Sequence, residues 1–255
     1  MAAALAAEWL KLRSVRSTWV TVAVVGVVVL VTALATWNGV NAWENATTAE
    51  GRLRWETARP MERITFPFTQ FCVGVLGVLA FTSEYGTGMI RSTFAAVPRR
   101  GTVLTAKVGA VGGATFVTGL AGVTAMHLTG RWIVGDRPFD AYADPVAEAV
   151  GPLLAMGLSV AVVALVGMGV GAVLRSTAGT LVTLAVLVFV LPTIAGFLPD
   201  PWNERIGAVL PAQLSAQVAG STDPVLPPLV ALTVLAGYAA TALGAAAVAI
   251  SRRDP

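Results

Sequence analysis

Apolar residues in this chain come in solid blocks; they neither alternate nor recur every third or fourth position. Six stretches, Ser17–Trp43, Ile64–Ser83, Val108–Gly130, Ala149–Leu174, Ser176–Pro199 and Pro224–Ser251, contain no Asp, Glu, Lys or Arg. A helix rises about 1.5 Å per residue, so roughly 20 apolar residues cross a hydrocarbon core of about 30 Å. The pattern predicts an all-α membrane protein: one domain over residues 1–255, with transmembrane helices near 18–37, 64–82, 106–129, 149–174, 178–198 and 227–250. Porin-type strands alternate apolar and polar positions over about 10 residues, which these blocks do not do. The first block follows Lys11, Arg13 and Arg16 and contains Ala33-Leu34-Ala35, the small-x-small form of a cleavage site. Its apolar core, Trp19–Ala35, is longer than the roughly 7–15 residues of a signal peptide, so it reads as a span.

The segments between the blocks have their own patterns. In the lead-in, residues 1–16, Leu5, Trp9 and Leu12 share one helical face while Lys11 points away. That predicts a helix lying in the membrane interface. Glu8 and Arg16 fall near its apolar edge, and a polar run-in to the first span is the alternative. Trp19, Trp37 and Trp132 lie at predicted span ends, where amphipathic rings favour the headgroup layer. Residues 200–223 hold an uncharged middle, Ile206–Thr222, too short for a span, which predicts a re-entrant or interfacial piece between spans 5 and 6. Gly109/Gly113 and Gly167/Gly171 have the four-residue spacing that lets helices approach closely. No inverted repeat of the secondary-transporter kind is visible.

Composition agrees with a bilayer: 56% of residues are hydrophobic and 12% charged. The distribution of charge gives an orientation. With both termini in the cytoplasm, the inside segments hold Lys11, Arg13, Arg16, Arg91, Arg99, Arg100, Lys107, Arg175, Arg252 and Arg253. The outside segments hold Arg52, Arg54, Arg59, Arg63, Arg131, Arg137 and Arg205, together with most of the acids. The excess of Lys and Arg inside, above all the pairs Arg99-Arg100 and Arg252-Arg253, predicts cytoplasmic N- and C-termini. Abundant Ala, Val and Gly, with only Lys11 and Lys107 as lysines, suggests a GC-rich bacterial genome and hence a bacterial plasma membrane.

Chemistry is conspicuous by its absence. One cysteine, Cys72, excludes an internal disulfide and a cysteine-based metal site, and one histidine, His127, excludes a two-His site in one copy. His127 stands about one turn from the outer end of its predicted span and reads as an interfacial hydrogen-bonding residue, not a proton relay. The charge-free blocks hold no paired carboxylates. There is no Gly-x-Ser-x-Gly motif and no phosphate-binding Gly-x-x-x-x-Gly-Lys-[Ser/Thr] loop. The sequence predicts no catalytic, cofactor or metal residue, and any transport must draw its energy from another polypeptide.

The segment Ser83–Ala106 carries the most specific signal. Gly86 and Gly88 permit a turn as the second span ends. Ile90, Phe94 and Val97 then follow at i, i+4, i+7, an apolar ridge on a short helix that Pro98 ends, and Thr102 is placed to cap the third span. Such a ridge with a basic flank suits either a docking element for a cytosolic partner or a basic loop at anionic headgroups. The run Glu84-Tyr85-x-x-Gly88-Met89-Ile90-Arg91-Ser92-Thr93, followed by Pro98-Arg99-Arg100, resembles the signature after the second span of type-2 ABC exporter permeases. A second register aligns Gly86-Thr87 with the Gly-Thr pair of that signature. Chain length, six spans and a basic lead-in fit the same family. The resemblance implies a pore-forming subunit that pairs with a second permease copy, as a homodimer in membrane lipid, and with a separate ATP-binding subunit that carries ATP and Mg. No nucleic-acid partner is implied. It also implies that Glu84–Pro98 is a coupling helix, with Glu84, Tyr85, Gly86, Gly88, Ile90, Arg91, Phe94, Val97, Pro98, Arg99 and Arg100 at the ATPase contact. The alternatives are a membrane-anchored interaction or sensor subunit and an ion-driven secondary transporter.

Overall fold

The computed structural model describes residues 2–97, 99–220 and 225–252, and every regular element among them is helical. Helix α1 (Ala2–Ser14) leads into α2 (Arg16–Glu44), the short α3 (Ala49–Glu56) and α4 (Met61–Thr87). Then come α5 (Met89–Ala96), α6 (Arg100–Val134), α7 (Val146–Leu174), α8 (Thr177–Ala185), α9 (Leu191–Gly196), α10 (Trp202–Ala208), α11 (Pro211–Val218) and α12 (Pro228–Arg252). Six helices are long and apolar enough to cross a membrane: α2, α4, α6, α7, the joined α8–α9 and α12. A π-helical turn, Val186–Val190, links α8 to α9. The helices run past the charge-free blocks; α6 begins at Arg100, so Thr102 lies inside its first turn and the expected cap position falls to Arg99.

Helix α7 is the centre of the bundle. Its most apolar stretch is 78% buried, against 17% in α2 and in α12. Its partners are α4, α6 and α12, with α4 the closest. Helices in lipid gain little from the hydrophobic effect and depend on close backbone approach. Gly77 of α4 lies directly against the Ala164 backbone, leaving no room for a Cβ. A Cβ at Gly167 would sit 3.2 Å from the Gly74 carbonyl, and one at Gly171 the same distance from that of Val78. The Gly167/Gly171 pair therefore does bring two helices together. Gly109/Gly113 does not: Gly109 meets only the Leu5 side chain of α1, and Gly113 faces open space.

Helices α10 and α11 form a hairpin in which α11 packs between α7 and α12 and α10 lies against α9. The Ser159 hydroxyl of α7 donates to the Pro211 carbonyl at 2.8 Å and receives the Gln70 amide of α4 at 2.8 Å. Ser159 is about 20 Å along α7 at roughly 1.5 Å per residue. Tyr238 of α12 donates to the Val209 carbonyl at 3.1 Å, and the Gln217 amide closes the hairpin on the Ala208 carbonyl at 2.7 Å. The turn of the hairpin thus reaches mid-depth of the spans. At the far end of the predicted segment, Ser221 and Thr222 lie outside the described residues.

Candidate functional site

The turn between α4 and α5 is made by one glycine. Gly88 adopts φ +72°, and its N–H bonds the Tyr85 carbonyl at 3.3 Å. A residue with a Cβ is strained in that left-handed conformation, whereas Gly86 lies inside α4 with open space around it. Of the two glycines in the signature, only Gly88 bends the chain.

The apolar ridge of α5 faces its own bundle. Ile90 is 2% exposed and packs with Phe81, Leu104, Val111 and Met168. Phe94 is half-buried against the same cluster, with the Arg100 guanidinium 5.4 Å from its ring. Val97, also half-buried, follows the helix, and Pro98 lies outside the described residues. Ile90, expected to meet a partner, is thus spent on internal packing, while Phe94 and Val97 stay partly exposed. The outward face carries Met89, Arg91, Ser92, Ala95 and Ala96, with Arg99 exposed just beyond. Tyr85 stacks on Phe81 and lies beneath the Arg175 guanidinium, 4.7 Å from its ring. Arg100 donates to the Ile250 carbonyl of α12. The α4–α5 junction is therefore tied to the ends of α6, α7 and α12.

Glu84 sits in the last turn of α4, 2% exposed. One of its oxygens accepts from Lys107 of α6 at 2.7 Å and from Lys11 of α1 at 2.9 Å. Glu8 of α1 bridges the same two lysines, accepting from Lys107 at 2.8 Å and Lys11 at 2.8 Å. Lys107, 1% exposed, also donates to the Ala80 carbonyl and stands 5.2 Å from the centre of the Phe81 ring. Two ammoniums and two carboxylates thus cancel inside a closed cluster that joins α1, α4 and α6. Removing one member of such a group leaves an uncompensated buried charge, at about 3–5 kcal/mol. Burial by itself would raise the Glu8 carboxyl, but the Lys107 charge and the hydrogen bonds from Lys107 and Lys11 outweigh it and hold it below its ordinary range. Burial likewise opposes the Lys11 charge, and its bonds to Glu8 and Glu84 hold the ammonium above its ordinary range. A lowered carboxyl contributes stability that is lost as pH falls through its folded pKa, and a raised ammonium contributes stability lost as pH rises through its own. The α1 contact is at full strength across the neutral range.

The sequence reading recognised Glu84 but neither Lys107 nor Glu8 as its partners. The apolar face expected on α1 is divided between bundle and surface. Leu12 packs against the Phe81 cluster and Glu8 is buried, while Leu5 and Trp9 remain 44% and 47% exposed. The usable signal was that Glu8 lies between Leu5 and Leu12 on one face, one turn before Lys11.

A second polar group lies at the other end of the bundle. His127 Nδ1 pairs with Glu62 Oε1 at 2.8 Å, and the Tyr142 hydroxyl donates to Glu62 Oε2 at 2.8 Å. His127 and Glu62 are 7% and 4% exposed, so the histidine is a hydrogen-bonding residue, as expected, and is half of a buried pair. Burial and the Glu62 charge push the Tyr142 hydroxyl well up, so it remains a protonated donor at neutral pH. No cluster of three or more metal-ligating side chains occurs among the described residues.

Residues 4–196 match the family described as ABC-2 family transporter protein. The chain belongs to the ABC-2 transporter family. The matched stretch starts in α1 and ends with α9, so in this ABC-2 protein it includes both polar clusters and all of α5. A search of curated proteins returns no significant match. ABC-2 proteins are membrane components of ABC transporters and are not themselves catalytic; membership implies an ATP-binding partner.

Proposed function

We propose that this chain is the pore-forming subunit of an ATP-driven exporter in a bacterial plasma membrane, working as a homodimer with a separate ATP-binding subunit. Its termini are cytoplasmic, α5 is the coupling helix, and the α10–α11 hairpin is re-entrant from the outside. The observation that carries the reading is α5 itself. It follows the Glu84–Thr93 signature, is seated on the bundle by Ile90 and Phe94, and leaves an outward face of Met89, Arg91, Ser92 and Ala95. A helix held by one face and bare on the other can transmit a push without detaching.

The ATP-binding subunit is expected to meet that outward face. Ala95→Arg places a long cation where a small exposed residue now stands and is expected to weaken co-purification of the ATP-binding subunit by about tenfold, equivalent to about 1.4 kcal/mol. The permease alone should melt unchanged. Undiminished co-purification of this variant would move the contact away from α5. The orientation is tested with single cysteines in a Cys72→Ser background. Asp140→Cys should react with an impermeant thiol reagent in intact cells, and Arg99→Cys should not; the reverse pattern would invert the topology.

A second reading, ion-driven transport, is favoured by one observation, the buried Glu62–His127–Tyr142 group. ATP-driven export requires no proton relay there. His127→Gln retains a hydrogen-bonding side chain near Glu62 and is expected to leave ATP-dependent transport within about twofold of the parent, well below the usual range of general acid–base effects. Loss of transport with normal ATPase assembly would favour the ion-driven reading.

A further inference from the structure

We infer that Lys107 is a positioning residue that clamps α1 and α6 to the α5 end of α4, so that displacement of α5 moves three helices as one unit. This rests on the permease reading above and names the internal part that carries the motion. The cluster is placed for it. Glu84 lies four residues before Gly88, the hinge from which α5 departs. Its carboxylate reaches α6 through Lys107 and α1 through Lys11. Glu8 closes the ring from α1 back onto Lys107. The second oxygen of Glu84 is buried without a hydrogen-bond partner among the described residues, so all of this carboxylate's pairing is directed at the two lysines.

The cluster borders an apolar core. Phe81 lies under the Lys107 ammonium, and Leu12, Leu104 and Val111 pack around the same core. A buried network could serve only to neutralise charge, in which case a balanced removal would restore everything. A clamp behaves differently, because the helices it joins lose their connection even when the charges balance.

The test uses the permease with its ATP-binding subunit in phosphatidylethanolamine–phosphatidylglycerol vesicles. The reporter is an environment-sensitive fluorophore on Asp136→Cys in the Cys72→Ser background, at the exposed far end of α6. Lys107→Met alone leaves two carboxylates on one lysine and is expected to lower the yield of folded protein. Lys107→Met with Glu8→Gln leaves the Lys11–Glu84 pair balanced, and this double variant decides the matter. It is expected to melt like the parent, to bind the ATP-binding subunit normally and to hydrolyse ATP at the parent rate. The ATP-induced fluorescence change at the far end of α6 should fall by about tenfold, within the usual 5–150-fold span of coupling effects. A full-size fluorescence change in the double variant would show that the cluster only neutralises charge and would overturn the clamp alone. Failure of the unaltered chain to hold any ATP-binding subunit would overturn the permease reading and the clamp with it.

Discussion

Gly77→Leu is expected to prevent the bundle from assembling. The Cβ of any larger residue at this position runs into the Ala164 main chain of α7, and neither backbone can move aside like a flexible side chain. Overpacking in adaptable cores costs about 1–3 kcal/mol. Here the two most extensively packed helices must separate, so the penalty lies at or above the top of that range. It also removes the dispersion contacts on which helices in lipid depend. Gly86→Ala is the control: nothing lies within 4 Å of its Cβ position, and its backbone is already helical in the last turn of α4, so alanine brings no clash or strain. Detergent-solubilised Gly86→Ala should therefore melt at or slightly above the parent temperature, while Gly77→Leu should run as an aggregate on gel filtration. A monodisperse Gly77→Leu protein with unchanged melting would mean that α4 and α7 are not apposed in this way.

The six spans were legible because the bilayer sets their length and composition directly. Local signals also located the short helix after Gly88 and the uncharged segment that holds α11 and the end of α10, although α10 starts earlier, at Trp202, and carries Glu204 and Arg205. What the sequence could not supply was facing. A ridge of Ile90, Phe94 and Val97 shows that a helix has an apolar side, but not whether that side meets its own bundle or a partner. The Gly167/Gly171 pair found α4, while the identical spacing of Gly109/Gly113 found no second span, because close approach depends on the neighbour as much as on the glycine. The partners of the charged groups were missed for a related reason. Lys107 was counted among the basic residues of the inside segments, at the edge of the third charge-free block, with no carboxylate assigned to it. In the folded chain α6 starts about two turns before Lys107, at roughly 3.6 residues per turn. Carboxylates from two other helices then neutralise its charge inside the bundle. Partners as distant in sequence as Glu8 and Lys107 leave no local periodicity by which to find them.

The two faces of α5 give the sharpest separation between internal seating and partner binding. Ile90→Asp is expected to unseat the helix. The isoleucine is 2% exposed, and losing its burial removes about 1.5–3 kcal/mol. The new carboxylate would be dehydrated among Phe81, Leu104 and Met168, which adds a larger penalty. Phe94→Asp should be milder despite the larger side chain. Phe94 is only half-buried, and the Arg100 guanidinium already stands 5.4 Å from its ring, close enough to pair with an aspartate. Limited trypsin digestion reads the seating directly, because Arg91 lies on α5 and Arg99 just after it. Ile90→Asp should be cut there much faster than the parent, and Phe94→Asp only somewhat faster. Binding of the ATP-binding subunit should be lost in the first variant, since a detached α5 presents no ordered surface. Ala95→Arg adds a trypsin site of its own, so its seating is read by melting: it should weaken binding while melting like the parent. If Ile90→Asp is as protected as the parent and binds as well, Ile90 does not anchor α5, and the division of the helix into a seated face and a coupling face is wrong.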